Sequence, residues 1–412
     1  MEAYHTHTFD NGIRVIHKEV QHTSIAHCGF ILDIGSRNEK PHQQGLAHFW
    51  EHMVFKGTQR RKAFHILNRL EAVGGELNAY TTKEKICFYA SLLDHHYEKA
   101  VELLTDITFN SVFPEKQIEI EKGVILEEMA MYQDAPEDAI QDEFDSLVFK
   151  NHALGYNILG TSSSVAGFRK ADFEQFIREN LNTERIIFSS VGNLPFKKVL
   201  RLAEKYMQAI PHFKAQPTRP TFTAYQPTEI QRTLPISQAH CAIGRTAYHL
   251  RHDKRLAFLM LNNILGGPSM NSRLNLRLRE KYGLVYSVEA NYQAYLDTGI
   301  WAIFFGTEQR RLNQSIQLVV KELKKIKSQQ LGTLQLHYAK EQMRGQLAMA
   351  EENNLSVMLM IGKSWLDLGR IEPLATIFSQ IDQVTAGQLL EVANEIFEEK
   401  MLSLLTYLPE KS

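Results

Sequence analysis

A chain of 412 residues with 44% hydrophobic and 23% charged residues is too long for one ordinary core, and it reads as a soluble globular protein of two or more large domains. Its formal net charge of −1 gives no electrostatic case for nucleic acid or an anionic membrane as a partner, and no run reaches the roughly 18 apolar residues of a membrane-spanning helix. Three cysteines (Cys28, Cys87, Cys241) are too few for a disulfide framework and lack metal-ligand spacing, and the N-terminus shows no secretory leader, so a reducing cytoplasm is expected.

Strand-like runs come first, at Gly12–His17, Ser24–Leu32, Leu77–Thr82 and Ile86–Leu92. Helical periodicity covers Gln44–Phe55, Ala63–Val73, Tyr97–Asn110 and the acidic segment Glu115–Gln133, with further helices to about Asn182. A strand at Ile186–Val191 and a helix at Pro195–Ala209 follow. The stretch Ile210–Pro227 carries Pro211, Pro217, Pro220 and Pro227 with little apolar pattern and reads as a linker. Beyond it the plan repeats. Ala26-His27-Cys28 recurs as Ala239-His240-Cys241, Leu46-Ala47 as Leu256-Ala257, Gly57 as Gly267, and Gly74 as Gly283, all at offsets between 209 and 213 residues. A constant offset in constant order predicts a duplication. The expected fold is α+β: two homologous tandem domains, each a mainly antiparallel sheet flanked by helices, at residues 1–215 and 229–412 with a linker at 216–228.

His48-Phe49-Trp50-Glu51-His52 spells H-x-x-E-H inside one of the predicted helices. Residues three and four apart share a helix face, so His48 and His52 can offer imidazole nitrogens to one metal ion while Glu51 projects beside them. Two imidazoles plus one carboxylate make the three protein ligands of a catalytic zinc site, and Glu51 is then the general base for a zinc-activated water. Composition alone would produce the pattern in roughly one such chain in 20, so a pair of ordinary helix histidines is the bland alternative. The duplication supplies a control. At an offset of 210 the three positions fall on Phe258, Leu261 and Asn262, an ordinary apolar helix face.

The third ligand is sought on Glu115–Gln133, which offers Glu119, Glu121, Glu127 and Glu128. At 100° per residue Glu121 and Glu128 lie on one line, on a stripe with Ile118, Ile125, Met129 and Tyr132. A carboxylate on a buried stripe is costly unless paired or metal-bound. Glu128 therefore reads as the ligand and Glu121 as the partner that orients a ligating histidine.

These residues resemble the pitrilysin family of metallopeptidases, which includes insulin-degrading enzyme and the mitochondrial processing peptidases. The resemblance runs through Asn11-Gly12, Gly35 to Glu39, Gly45 to Thr58, Gly74-Gly75, Asn78-Ala79-Tyr80-Thr81, and Glu121 to Met129. Trp50 departs from the family's usual leucine. The resemblance implies one zinc ion per chain on His48, His52 and Glu128, with Glu51 as base, and an edge strand at Asn78, Ala79, Tyr80 and Thr81 to which a peptide adds by main-chain pairing. It further implies that Arg279 holds substrate carbonyls and that Tyr286 donates to the oxyanion of the transition state. The chain is half the size of the four-domain relatives and keeps both residue sets, which implies a homodimer enclosing a chamber. The reading is a zinc endopeptidase of short or unfolded peptides. Its alternatives are a non-catalytic scaffold or partner subunit, and a metallohydrolase acting on something other than peptides.

Overall fold

The computed structural model describes residues 4–410. The first half forms β1 (Tyr4–Thr8), β2 (Arg14–Glu19), β3 (Ile25–Leu32), α1 (Leu46–Met53), α2 (Ala63–Glu71), β4 (Glu76–Thr81), β5 (Ile86–Leu93), α3 (Tyr97–Phe109) and α4 (Glu115–Gln133). It continues with α5 (Pro136–Val148), α6 (Ser162–Gly167), α7 (Lys170–Asn180), β6 (Ile186–Gly192) and α8 (Phe196–Met207). The second half forms β7 (Glu229–Leu234), β8 (Ala239–Ala247), α9 (Arg255–Gly266), β9 (Val285–Ala294), β10 (Gly299–Thr307), α10 (Leu312–Ser328) and α11 (Thr333–Glu351). It ends with α12 (Asn354–Leu368), α13 (Leu374–Gln383), α14 (Ala386–Ile396) and β11 (Ser403–Pro409). The elements expected in the first half fall close to these bounds. β1, with its polar sequence Tyr-His-Thr-His-Thr, carries no apolar period to reveal it.

The fold is α+β with two homologous sheets. One has the order β1-β2-β6-β3-β5-β4 and the other β7-β11-β8-β10-β9. Apart from β1 the two orders match strand for strand. In each, one parallel pair (β2 with β6, β7 with β11) sits among antiparallel ones. In the first sheet β6 is buried along its whole length, because side chains of alternating parity meet two different cores. One face joins a large core that includes Cys28, Phe30, Phe88 and Phe188. The other face, with Ile16, Ile187 and Val191, meets Val357, Met358 and Ile361 of α12.

The compact units are therefore not contiguous halves. One unit takes residues 1–129, 156–219 and 349–373, and the other takes 130–155, 220–348 and 374–412. This departs from the expected division into 1–215 and 229–412, since each half of the sequence lends a segment to the other unit. α4 and α11, 19 residues each, are about 28 Å long. They carry the chain out of one unit, so the helix that follows each of them, α5 or α12, covers the other unit's sheet. α12 fits closely. A side chain at Gly362 would meet Ile31 Cδ1 at 2.2 Å and Ser189 Cβ at 2.9 Å. Ser189 Oγ donates to the Met358 carbonyl at 2.5 Å, and Asp367 pairs with the buried Lys85 at 2.8 Å.

Residues 216–228 form neither helix nor strand, as expected of a linker, yet both ends are tied down. Arg219 bonds to Asp33 Oδ1 at 2.6 Å and Asn38 Oδ1 at 2.8 Å in the first unit. Tyr225 donates to the Met401 carbonyl at 2.7 Å in the second.

A fragment ending at residue 228 lacks α12. Burying Val357, Met358 and Ile361 contributes about 1.5–3 kcal/mol each, which together approaches a domain's whole stability of roughly 5–15 kcal/mol. Such a fragment is expected to bind hydrophobic dyes and to lack a cooperative melt, and a cooperative melt would show that α12 is dispensable. In the full chain, Gly362→Leu should cost about 1–3 kcal/mol in urea denaturation through overpacking.

Candidate metal centre

α1 has only eight residues, of which Leu46, Ala47, Phe49, Trp50 and Met53 turn into the core. Trp50 meets Phe88 and Phe176 edge-on at 6.2 and 6.3 Å, so it fills the core and faces away from the ligands. The start of the helix is pinned. Gly45, at φ +92°, lies so close to Leu159 and Gly160 that a Cβ would meet the Leu159 carbonyl oxygen at 2.4 Å. The carboxyl group of Glu39 accepts from the amides of Gly45 at 3.0 Å and Ala47 at 2.7 Å, satisfying donors that a helix N-terminus leaves unpaired.

On the opposite side of α1 lie His48, Glu51 and His52. Helix α4 brings Glu128 to them, and the three possible ligand atoms lie within 4.8 Å of one another. Glu128 Oε1 is 3.8 Å from His48 Nε2, and Glu128 Oε2 is 3.6 Å from His52 Nε2. These distances are too long for hydrogen bonds. They approach the separation of about 3.4 Å between ligands in a tetrahedral site with bonds of roughly 2.0–2.1 Å. Two imidazole nitrogens and one carboxylate suit zinc.

The phase of α4 separates its glutamates. Glu121 is buried, Glu128 half-buried, and Glu119 and Glu127 exposed. The apolar stripe ends sooner than expected, at Met129, and Tyr132 is 38% exposed. Glu121 Oε1 lies 3.0 Å from His52 Nδ1, and its other oxygen lies 2.7 Å from Lys56 Nζ. Burial alone would raise the Glu121 carboxyl, but the bonds to His52 and Lys56 outweigh it and hold the group below the usual glutamate range. An anion on Nδ1 fixes the proton there and leaves Nε2 as a lone pair toward Glu128. Burial, with His52 adding to it, lowers His48 to about 3, so its imidazole is neutral and able to ligate.

Glu51 is raised above the ordinary glutamate range by burial, against the pull of a hydrogen bond from Thr81 Oγ1 to its Oε2 at 2.6 Å. Thr81 ends β4, the edge strand of the first sheet, with Asn78, Ala79 and Tyr80 before it. Asn78 is exposed and the other three are half-buried.

In the second unit, Arg279 lies on a stretch of π-helix, Asn275–Lys281, a geometry frequent at functional sites. Its guanidinium stands 5.6 Å from the ring centroid of Tyr286, which is 85% exposed at the start of edge strand β9. The counterpart of α1 is α9, where Phe258 and Leu261 are buried. Asn262 there bonds to the Ala290 carbonyl at 2.8 Å and to Trp301 Nε1 at 2.9 Å. Aligning α11 with α4 from their first residues sets Ala339 against Glu121 and Gln346 against Glu128. None of these five positions keeps an imidazole or a carboxylate in the second copy.

Glu39, Lys56 and the Thr81 hydroxyl are not among the side chains expected at the site. A carboxylate shortly before a helix start is the signal that could have marked Glu39. Lys56 and Thr81 act across the fold and leave no local pattern.

Two family models match the chain. Insulinase (Peptidase family M16) covers residues 14–162, and Peptidase M16 inactive domain covers residues 167–343. An uncharacterized zinc protease of Bacillus subtilis is 33% identical over 95% of both chains. One of Rickettsia bellii is 30% identical over 98% of this chain and 97% of its own. Among solved structures, a peptidase M16 inactive domain from Pseudomonas fluorescens shares the fold at a TM-score of 0.92 and 17% identity, covering 100% of this chain and 98% of its own. A protease from Helicobacter pylori does so at 0.91 and 19%, covering 99% and 100%.

Replacing Glu121 by Ala should weaken zinc binding about 10- to 100-fold in competition with a chelator, and unchanged affinity would deny it the orienting role. Burial raises Glu39 to about 8, above its value in an unfolded chain. The stability this group contributes is then present at low pH and lost as pH climbs through about 8. The unfolding free energy of the wild type minus that of Glu39→Gln should accordingly decline between about pH 5 and 8; a flat difference contradicts it.

Proposed function

The chain belongs to peptidase family M16, the insulinase family, and from that membership we propose that it is a zinc-dependent endopeptidase of short or unfolded peptides. The observation that carries the reading is the convergence of His48, His52 and Glu128 beside Glu51, with Glu51 bonded to the edge strand that would receive the substrate. His48, His52 and Glu128 would hold one zinc ion. Zinc, when bound, supplies Lewis acidity and lowers the pKa of water toward 7. Glu51 takes up a proton as the scissile carbonyl is attacked and returns it to the leaving amine.

An extended peptide pairing with the main chain of Asn78 to Thr81 would be held regardless of its sequence, which suits a broad peptide substrate. Arg279 and Tyr286 are assigned to substrate carbonyls and to the developing oxyanion. The functional assembly is taken as a homodimer enclosing the cleavage chamber. The three buried free thiols suit a reducing compartment, the cytoplasm. No helix among the described residues is long and apolar enough to cross a membrane.

The test is cleavage of a quenched peptide by the zinc-loaded chain, with elemental analysis alongside. The wild type should hold one zinc per chain and lose activity to a chelator. Glu51→Gln should keep its zinc and lose about 10²- to 10⁴-fold in turnover. Undiminished cleavage by that variant would sink the assignment of the base, and a chain without bound zinc would sink the enzyme reading. Light scattering should give twice the chain mass. A fully active monomer would remove the dimeric chamber.

A further inference from the structure

Along β4, Leu77, Ala79 and Thr81 take alternate positions and so share one face of the strand. Leu77 and Ala79 pack on the first core. Thr81, next in that row, reaches α1 with its hydroxyl and donates to Glu51 Oε2 at 2.6 Å. Tyr80 points the other way, where Lys363 of α12 lies 4.9 Å from its ring centroid.

A half-buried strand threonine has no need of a carboxylate partner, since its hydroxyl can turn to water or to main-chain carbonyls. The group that gains from the bond is Glu51. A glutamate side chain has three rotatable torsions, and a base that wanders among rotamers is out of line for most encounters. Among the described residues Thr81 is the hydrogen-bond donor found on the Glu51 carboxylate. The bond engages Oε2 and leaves Oε1 free to accept a proton.

We propose that Thr81 is a positioning residue whose hydroxyl fixes the Glu51 carboxylate, so that the strand offered to the peptide and the base that drives its cleavage are held as one body. The role rests on the peptidase reading above. It differs from the main-chain pairing assigned to Asn78–Thr81, because it belongs to the side chain and acts on turnover rather than on peptide affinity.

Thr81→Val keeps the β-branched shape and removes the hydroxyl, whereas Thr81→Ser keeps the hydroxyl. In the full-length, zinc-loaded chain, Thr81→Val should lower kcat about 10- to 100-fold with KM within about twofold, a part of the roughly 10²- to 10⁴-fold that positioned proton transfer contributes. Zinc content and melting temperature should stay at wild-type values, and Thr81→Ser should stay within about threefold of the wild-type kcat. Peptide affinity, read by fluorescence anisotropy on Glu51→Gln chains that do not consume the probe, should be the same with and without Thr81→Val. Residual turnover in that background should also be unchanged by Thr81→Val, because there is no base left to orient.

Wild-type kcat in Thr81→Val overturns the proposal. So does a defect confined to KM and anisotropy, which would mark a strand-pairing role, or an equal loss of turnover in the Glu51→Gln background, which would mark a structural one. A wild-type chain that cleaves no peptide defeats the peptidase reading itself, an outcome separate from a cleaving wild type with an unaffected Thr81→Val.

Discussion

An eight-residue helix cannot hold its shape alone in water, where helices shorter than about 12–15 residues are marginal. α1 exists because its surroundings impose it, and the arrangement of the site depends on that imposition. Five of its residues are locked into the core, its first amides are satisfied by Glu39, and its entry is wedged against Gly160. With the backbone fixed, the spacing of four residues between His48 and His52 becomes a fixed spacing between two nitrogens. Glu121 then sets the tautomer of one of them, and Glu128 closes the triangle. The pKa shifts follow from the same burial. It strips His48 of its proton, while the bonds from His52 and Lys56 keep Glu121 charged.

The second sheet shows what the scaffold requires without the chemistry. Strand order, the parallel pair and the two long helices are retained, while the donor positions have become Phe258, Leu261, Asn262, Ala339 and Gln346. Apolar packing and two hydrogen-bonded amides, Asn262 and Gln346, are enough to keep the fold. The histidines and glutamates of the first copy are therefore not demanded by stability, and a buried carboxylate such as Glu121 is tolerated there only because a histidine and a lysine meet it.

Much of this was legible in the sequence, for identifiable reasons. The spacing in H-x-x-E-H and the phase of Glu121 and Glu128 are properties of single helices, and local periodicity reports them. The duplication was visible because its matches kept a constant offset. The unit boundaries were hidden because a linker rich in proline marks where the chain is irregular, not where its contacts divide. The exchange of α5 and α12 depends on which sheet each helix lands on, and no local pattern encodes that. Tyr132 shares the phase of the stripe yet is exposed, since a stripe of correct phase says nothing about where the neighbouring surface ends. Lys56 and Thr81 reach their partners Glu121 and Glu51 across the tertiary fold, beyond the range of any spacing rule.

The placement of α12 has a consequence for the order of events during synthesis. Residues 1–219 can leave the ribosome with β2, β3 and β6 already paired, yet one face of that sheet stays bare until residue 373 has been made. The nascent segment therefore presents Ile16, Ile187 and Val191 to the solvent while four of the five strands of the second sheet, β7 to β10, are being translated. The first unit cannot be complete before residue 373, nor the second before its last strand, β11, so the fold itself delays both until almost the entire polypeptide exists. A truncated product, such as one from a broken message, would carry His48, Glu51, His52 and Glu128 and still lack the helix that covers the other face of their sheet.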